Sequence, residues 1–204
     1  MKIAFLLIMT VFWPRDGASL PSQNDQSALA DGVSSKLQAL RERHEQGDPK
    51  ASETEINEQE FNAYLLHHFA HQLPEGVENP WIRFSDGPAL AGATLDLDVL
   101  KSKMPESTMM QYLSGRVPLE LSARLHTEDG VGRLELESVT LSGLGIPLTL
   151  IQQLVTTYTK GPSKPNGFRL DEPFPLPYGI DSVQILTGRM LLRQTAATDT
   201  PAKE

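Results

Sequence analysis

The chain has 204 residues, no cysteine, 22% charged and 39% hydrophobic residues, and a formal net charge of −8. That length fits one globular domain with tails, and 15 glycines and 15 prolines exclude collagen-like, disulfide-scaffold and low-complexity classes. No basic stripe is present to neutralise phosphates, so nucleic acid is not an expected partner.

A short positive start, Met1-Lys2-Ile3, precedes ten apolar residues from Ala4 to Trp13. As helix that run covers about 15 Å, roughly half a bilayer core, which fits a secretory signal better than a membrane span. Gly17-Ala18-Ser19 supplies small residues for cleavage after Ser19. The expected mature chain is therefore exported, periplasmic or extracellular, with no transmembrane helix left after cleavage. Cleavage removes two basic residues and one acidic one, leaving a net charge of −9, which offers little attraction to anionic head groups.

Residues 20–51 read as a flexible leader. Ser34 to Gln46 has the makings of a short helix there, but it carries few apolar residues with which to dock. The domain proper is expected over 52–194, and 195–204 (TAATDTPAKE, with Gln194 before it) as a disordered tail. Asn57 with Glu60 three residues on is a helix-capping pattern. After it Phe61, Leu65, Phe69 and Leu73 recur at i, i+4, with Pro74 and Gly76 as the stop.

Four extended segments follow. Trp81–Phe84 is short; Ala89–Val99 and Val117–Leu125 alternate apolar and polar residues; Arg133–Ser142 begins with Leu134 and Leu136 on one parity and ends with Val139 and Leu141 on the other. A one-residue phase switch predicts a β-bulge near Glu137-Ser138. Pro147 starts a second helix that ends at Lys160-Gly161-Pro162 and carries Leu150, Ile151, Leu154, Val155 and Tyr158 on one side. A Pro-rich return over 163–179 leads to a hairpin around Thr187-Gly188. The expected fold is α+β: a single curved antiparallel sheet of about six strands with two amphipathic helices packed on one face.

Chemistry is sparse. His67 and His71 lie one helical turn apart beside His68, but Glu60 sits about 10 Å along the axis from His67, so two ligands stand without a third and no metal or other cofactor is expected. Asp96 and Asp98 are expected on the polar face of one strand, roughly 6.6 Å apart, in a cross-strand ion pair with Arg124. No nucleophile elbow, phosphate loop or metalloprotease helix occurs, so a non-enzymatic function is expected. Two loops carry apolar residues: Pro105–Leu113 with Met109 and Met110, and the rigid Phe174-Pro175-Leu176-Pro177-Tyr178.

The segments EQEFNAYL, GRLELESVTLSG followed by IP, and PFPLPYGIDSV together resemble a family of exported bacterial proteins of uncharacterised function. The plan is more distantly similar to the YpmS-like proteins and to TULIP or LmeA-type lipid-binding domains. That resemblance implies a curved sheet cradling a helix around an apolar groove, by fold analogy alone. The expected function is an envelope protein that binds a lipid or other amphiphile between sheet and helices, with Phe61, Leu65, Phe69, Met109, Met110, Leu150, Leu154 and Tyr158 lining the groove. The alternative is an envelope interaction or assembly factor, with a protein partner and a fully packed core.

Overall fold

The computed structural model of the chain describes residues 24–47, 50–73, 75–101, 114–159, 166–167 and 169–195. The expected signal segment 1–19, the tail beyond Thr195 and the Pro105–Leu113 loop with Met109 and Met110 lie outside the described residues.

The first helix, α1 (Asn24–Glu45), starts inside the stretch expected to be a flexible leader, and it is docked. Ala30, Val33, Leu37 and Leu40 recur at steps of three and four residues, which aligns them on one narrow stripe. All four are buried, Val33 completely. Polar residues tie the same helix down: Lys36 Nζ donates to both oxygens of Glu60 at 2.8 and 2.9 Å, and His68 pairs with Asp31 at 3.1 Å.

A strand not foreseen in the sequence follows, β1 (Ser52–Asn57), whose single large apolar residue, Ile56, is fully buried. Asn57 then caps α2 (Glu58–Tyr64) in the expected reciprocal box: its side chain accepts from Glu60 N at 2.8 Å, and Glu60 Oε2 accepts from Asn57 N at 3.0 Å. Burial opposes the Glu60 charge, but the hydrogen bonds from Lys36 and the Asn57 amide outweigh it and hold the carboxyl below its ordinary value.

Beyond Tyr64 the helix widens into a π turn (Leu65–Phe69) and closes with a 3-10 turn (Ala70–Gln72). Apolar residues spaced strictly by four drift about 40° per step around a 3.6-residue helix. The wider π turn reverses that drift, so Phe69 returns beneath Leu65 and both are buried while Leu66 and His67 face outward.

The large sheet is antiparallel and not closed. It runs β2 (Val77–Arg83), β3 (Ala89–Asp96), β4 (Arg116–Glu128), β5 (Val131–Leu141) and the short β6 (Leu144–Gly145), with β7 (Phe174–Pro175) also pairing with β5. Ser122 pairs with Ser138 and Ala123 with Leu136, which leaves Glu137 as the extra residue of a bulge at the expected place. β3 is shorter than expected because the chain turns at Asp96 into a helical turn, α3 (Leu97–Lys101). The second long helix of the sequence is α4 (Leu148–Thr159).

The closing hairpin, β8 (Ile180–Leu186) and β9 (Arg189–Gln194), does not extend the large sheet. It joins β1 in a three-stranded sheet of order β1-β9-β8. The Thr127 hydroxyl of β4 bridges the two sheets, donating to Val183 O at 3.0 Å and accepting from Val183 N at 2.9 Å. Gln194, a buried polar side chain, is fully engaged: its amide donates to Leu40 O and Tyr178 O, and its oxygen accepts from Ser52.

The main core therefore lies between α1, α2 and the small sheet. Val33, Leu37, Ile56, Phe61, Phe69 and Leu192 sit at its centre, and Ile82 and Leu125 bring in one end of the large sheet. Phe174 and Leu176 of the Pro-rich return are buried members of the same core. Gly132 permits this, since a Cβ there would lie 2.7 Å from the Phe174 ring.

Candidate functional site

The register of the large sheet separates its two faces. Cross-strand partners in an antiparallel ladder point to the same side, so the rows Ala91–Leu121–Val139 and Ala93–Leu119–Leu141, with the pair Leu95–Val117, form one continuous apolar face. The opposite face carries Glu120, Ser122 and Thr140 together with a run of ion pairs. Arg124 meets Glu137 at 2.9 Å, His126 meets Glu135 at 2.9 Å, and Arg116 reaches Glu78 at 3.1 Å and Asp96 at 3.6 Å. These pairs are exposed and contribute little to stability individually.

The expected pairing of Asp96 and Asp98 with Arg124 is corrected by these contacts. Asp96 Oδ1 instead accepts from the backbone N–H groups of Asp98 and Val99 and so starts α3, while Asp98 accepts from Gly115 N. The register sets Arg116, not Arg124, opposite Asp96, and Asp98 has already left the strand for α3.

The apolar face extends beyond the main core. Leu125 and Ile82 are packed into it, whereas Leu95, Val117, Leu119, Leu121 and Leu141 lie outside it and are half-buried. At this end of the sheet Ser142 and Gly143 turn the chain with φ of 51° and 77°, β6 pairs with the last residues of β5, and Ile146 N donates to Val139 O at 2.8 Å. α4 then lies beside β5, with Val155 buried, Ile151 half-buried and Leu150 exposed. Gly167 lies against this helix at Thr156, and Leu170 N donates to Gln152 Oε1 at 2.9 Å.

The groove residues expected from the sequence are thus divided. Phe61, Leu65 and Phe69 come together, but within the main core beside Val33 and Leu37 of α1, and Phe61 stacks near Phe84 with ring centroids 5.6 Å apart. Leu150 lies apart from them on α4. Leu154 and Tyr158 lie on α4 as expected, although their side chains are outside the described residues, as are Met109 and Met110. The sequence reasoning missed the half-buried leucines of β3, β4 and β5 as site residues. Their signal was available, because the apolar parities of the strands define one face once the strands pair in order.

Buried polar chemistry in this region is structural. Asn62 donates to Ile82 O at 2.8 Å and accepts from Ile82 N at 2.7 Å, so a helix side chain pairs the outer edge of β2. Burial raises the Tyr64 hydroxyl above its ordinary value, with a smaller push from Tyr178. His67 and His71 are exposed. Among the described residues no group of three or more histidine or acidic side chains is arranged to hold a metal ion, and no helix is long and apolar enough to cross a membrane. No protein-family model matches the chain, and no curated protein matches it.

Proposed function

We propose that this is an exported, non-enzymatic envelope protein that holds a lipid or other amphiphile on the apolar face of its large sheet, at the end beside α4. The observation that carries the reading is the continuation of that face past the packed core, where half-buried leucines of three strands adjoin a helix with a buried Val155 and an exposed Leu150. An acyl chain would bury this surface as a core residue does, at roughly 25 cal/mol per Å². The ion-paired opposite face stays in water. The likeness in plan to curved-sheet lipid-binding domains supports the reading at the level of fold alone.

A second reading, an envelope assembly factor, has the burial of Phe61, Leu65 and Phe69 in its favour, because these residues are already covered by α1. Native mass spectrometry after mild purification separates the two. The proposal expects an additional mass of lipid size, lost on organic extraction and regained on adding a fatty acid. A chain that carries no such mass and regains none contradicts it.

A further inference from the structure

From Ser138 to Thr159 the chain runs 22 residues without an Asp, Glu, Lys, Arg or His, in a protein that is 22% charged. This run holds the turn, β6 and α4, and it carries three of the exposed large apolar residues of the molecule: Leu144 at 71%, Leu148 at 38% and Leu150 at 37%. The other three among the described residues, Leu66, Leu90 and Val131, are scattered singly over the π turn, β3 and the far end of β5, whereas these three fall within seven residues of one another.

We propose that this tip, from Leu144 to Leu150, docks on the surface of a neutral or zwitterionic lipid bilayer. The inference rests on the amphiphile-binding reading above, and it names where such a ligand enters: docking sets the open end of the apolar face against the lipid.

Charge identifies the occupant. The chain as a whole is at −8, so an anionic bilayer repels it, and the tip supplies no Lys or Arg to offset that repulsion. The exposed polar residues of α4 that adjoin the tip are the uncharged Thr149 and Gln153, which do not select for a sign of charge, while Gln152 is engaged within the fold by Thr156 and Leu170. A helix of this kind relies on apolar insertion, in contrast to the Lys- and Arg-rich interfacial helices that rely on anionic lipid. Area argues against a stable protein partner. The three leucines together expose about one and a half leucines' worth of surface, far below the roughly 800 Å² per partner that a specific complex buries. Shallow insertion into a bilayer has no such minimum.

The absence of cysteine from the chain gives a clean test. Leu144→Cys, labelled with an environment-sensitive fluorophore, reports on the tip. Asp129→Cys reports on the turn at the other end of β5, roughly 35 Å away for a strand of this length. On adding phosphatidylcholine vesicles the probe at 144 should shift to the blue and be quenched by nitroxide-bearing lipid, while the probe at 129 stays unchanged. Between 0.05 and 0.5 M salt, values chosen to span strong screening, the response should hold constant. Leu148→Ser with Leu150→Ser in the labelled chain should weaken vesicle binding by roughly tenfold. A silent probe at 144, a response that needs anionic lipid or collapses in salt, or a blue shift without vesicles that grows with protein concentration would each overturn the proposal, the last in favour of self-association. The same labelled chain is weighed by native mass spectrometry. Retained lipid with a silent probe removes the docking inference alone, whereas loss of both removes the amphiphile reading beneath it.

Discussion

Replacing Leu37 with alanine tests whether α1 is an integral part of the fold. Leu37 is 4% exposed and faces the main core with Val33, Leu40 and Ile56 around it. The substitution deletes three buried carbons, about 2.4 kcal/mol of transfer free energy at about 0.8 kcal/mol each. The cavity left behind adds to this, and buried leucine-to-alanine changes cost about 2–5 kcal/mol in total. A loss near 3 kcal/mol lowers the thermal midpoint of a domain of this size by about 6–12 °C. Circular dichroism melts of the wild type, Leu37→Ala and the exposed control Gln38→Ala measure this directly, and the control should stay within about 0.5 kcal/mol. Hydrogen exchange covers the case in which α1 opens by itself before the domain unfolds: its amides should then lose roughly a hundredfold in protection. A midpoint lowered by less than 2 °C, about what half a kcal/mol produces, with α1 amides exchanging freely already in the wild type, would refute docking of this helix.

Two further outcomes follow from particular contacts. Glu60 has its carboxyl held below the ordinary value of 4.5, so its stabilising effect is complete above that pH and disappears as acidification protonates the folded state. Glu60→Gln should therefore cost about 1 kcal/mol near pH 7, and its urea midpoint should converge on the wild type's as pH falls below 4.5; a gap constant across that range contradicts the assignment. Deleting Glu137 removes the bulge residue, so Leu136 and Ser138 keep their partners Ala123 and Ser122 on the same faces. The deletion should fold, with the Arg124 ion pair lost, whereas deleting Glu135 turns Leu134 toward the polar face and should leave a protein that fails to melt cooperatively.

Features decided by neighbouring residues were legible in the sequence. The capping box at Asn57 needs only Glu60, and the bulge at Glu137 announces itself as a parity switch between Leu136 and Val139, because pleat alternation is a local rule. Features decided by distant partners were not. The stripe of Ala30, Val33, Leu37 and Leu40 lies among Ser, Asp and Gln and acquires its purpose only when Phe61 and Phe69 lie opposite. β1 offers one buried residue, Ile56, and its strand state depends on pairing with β9 more than 130 residues away. That same pairing draws the closing hairpin out of the large sheet. Phe174 and Leu176 are buried because alternate residues of an extended segment can face a core wherever a glycine such as Gly132 leaves room. For the candidate site, the sequence placed the groove between sheet and helices but named residues of the helices and of one loop to line it. Pairing of the strands, which fixes which parities align, places it on β3, β4 and β5.

The central claim is that an amphiphile occupies the apolar face outside the main core. A photoreactive fatty acid bound to the delipidated chain, irradiated and mapped by peptide mass spectrometry measures this most directly. The account predicts crosslinks in the peptides carrying Leu95, Leu119 and Leu141 and in α4, saturable by unlabelled fatty acid. Crosslinks concentrated on Phe61, Leu65 and Phe69, or none that saturate, would contradict it.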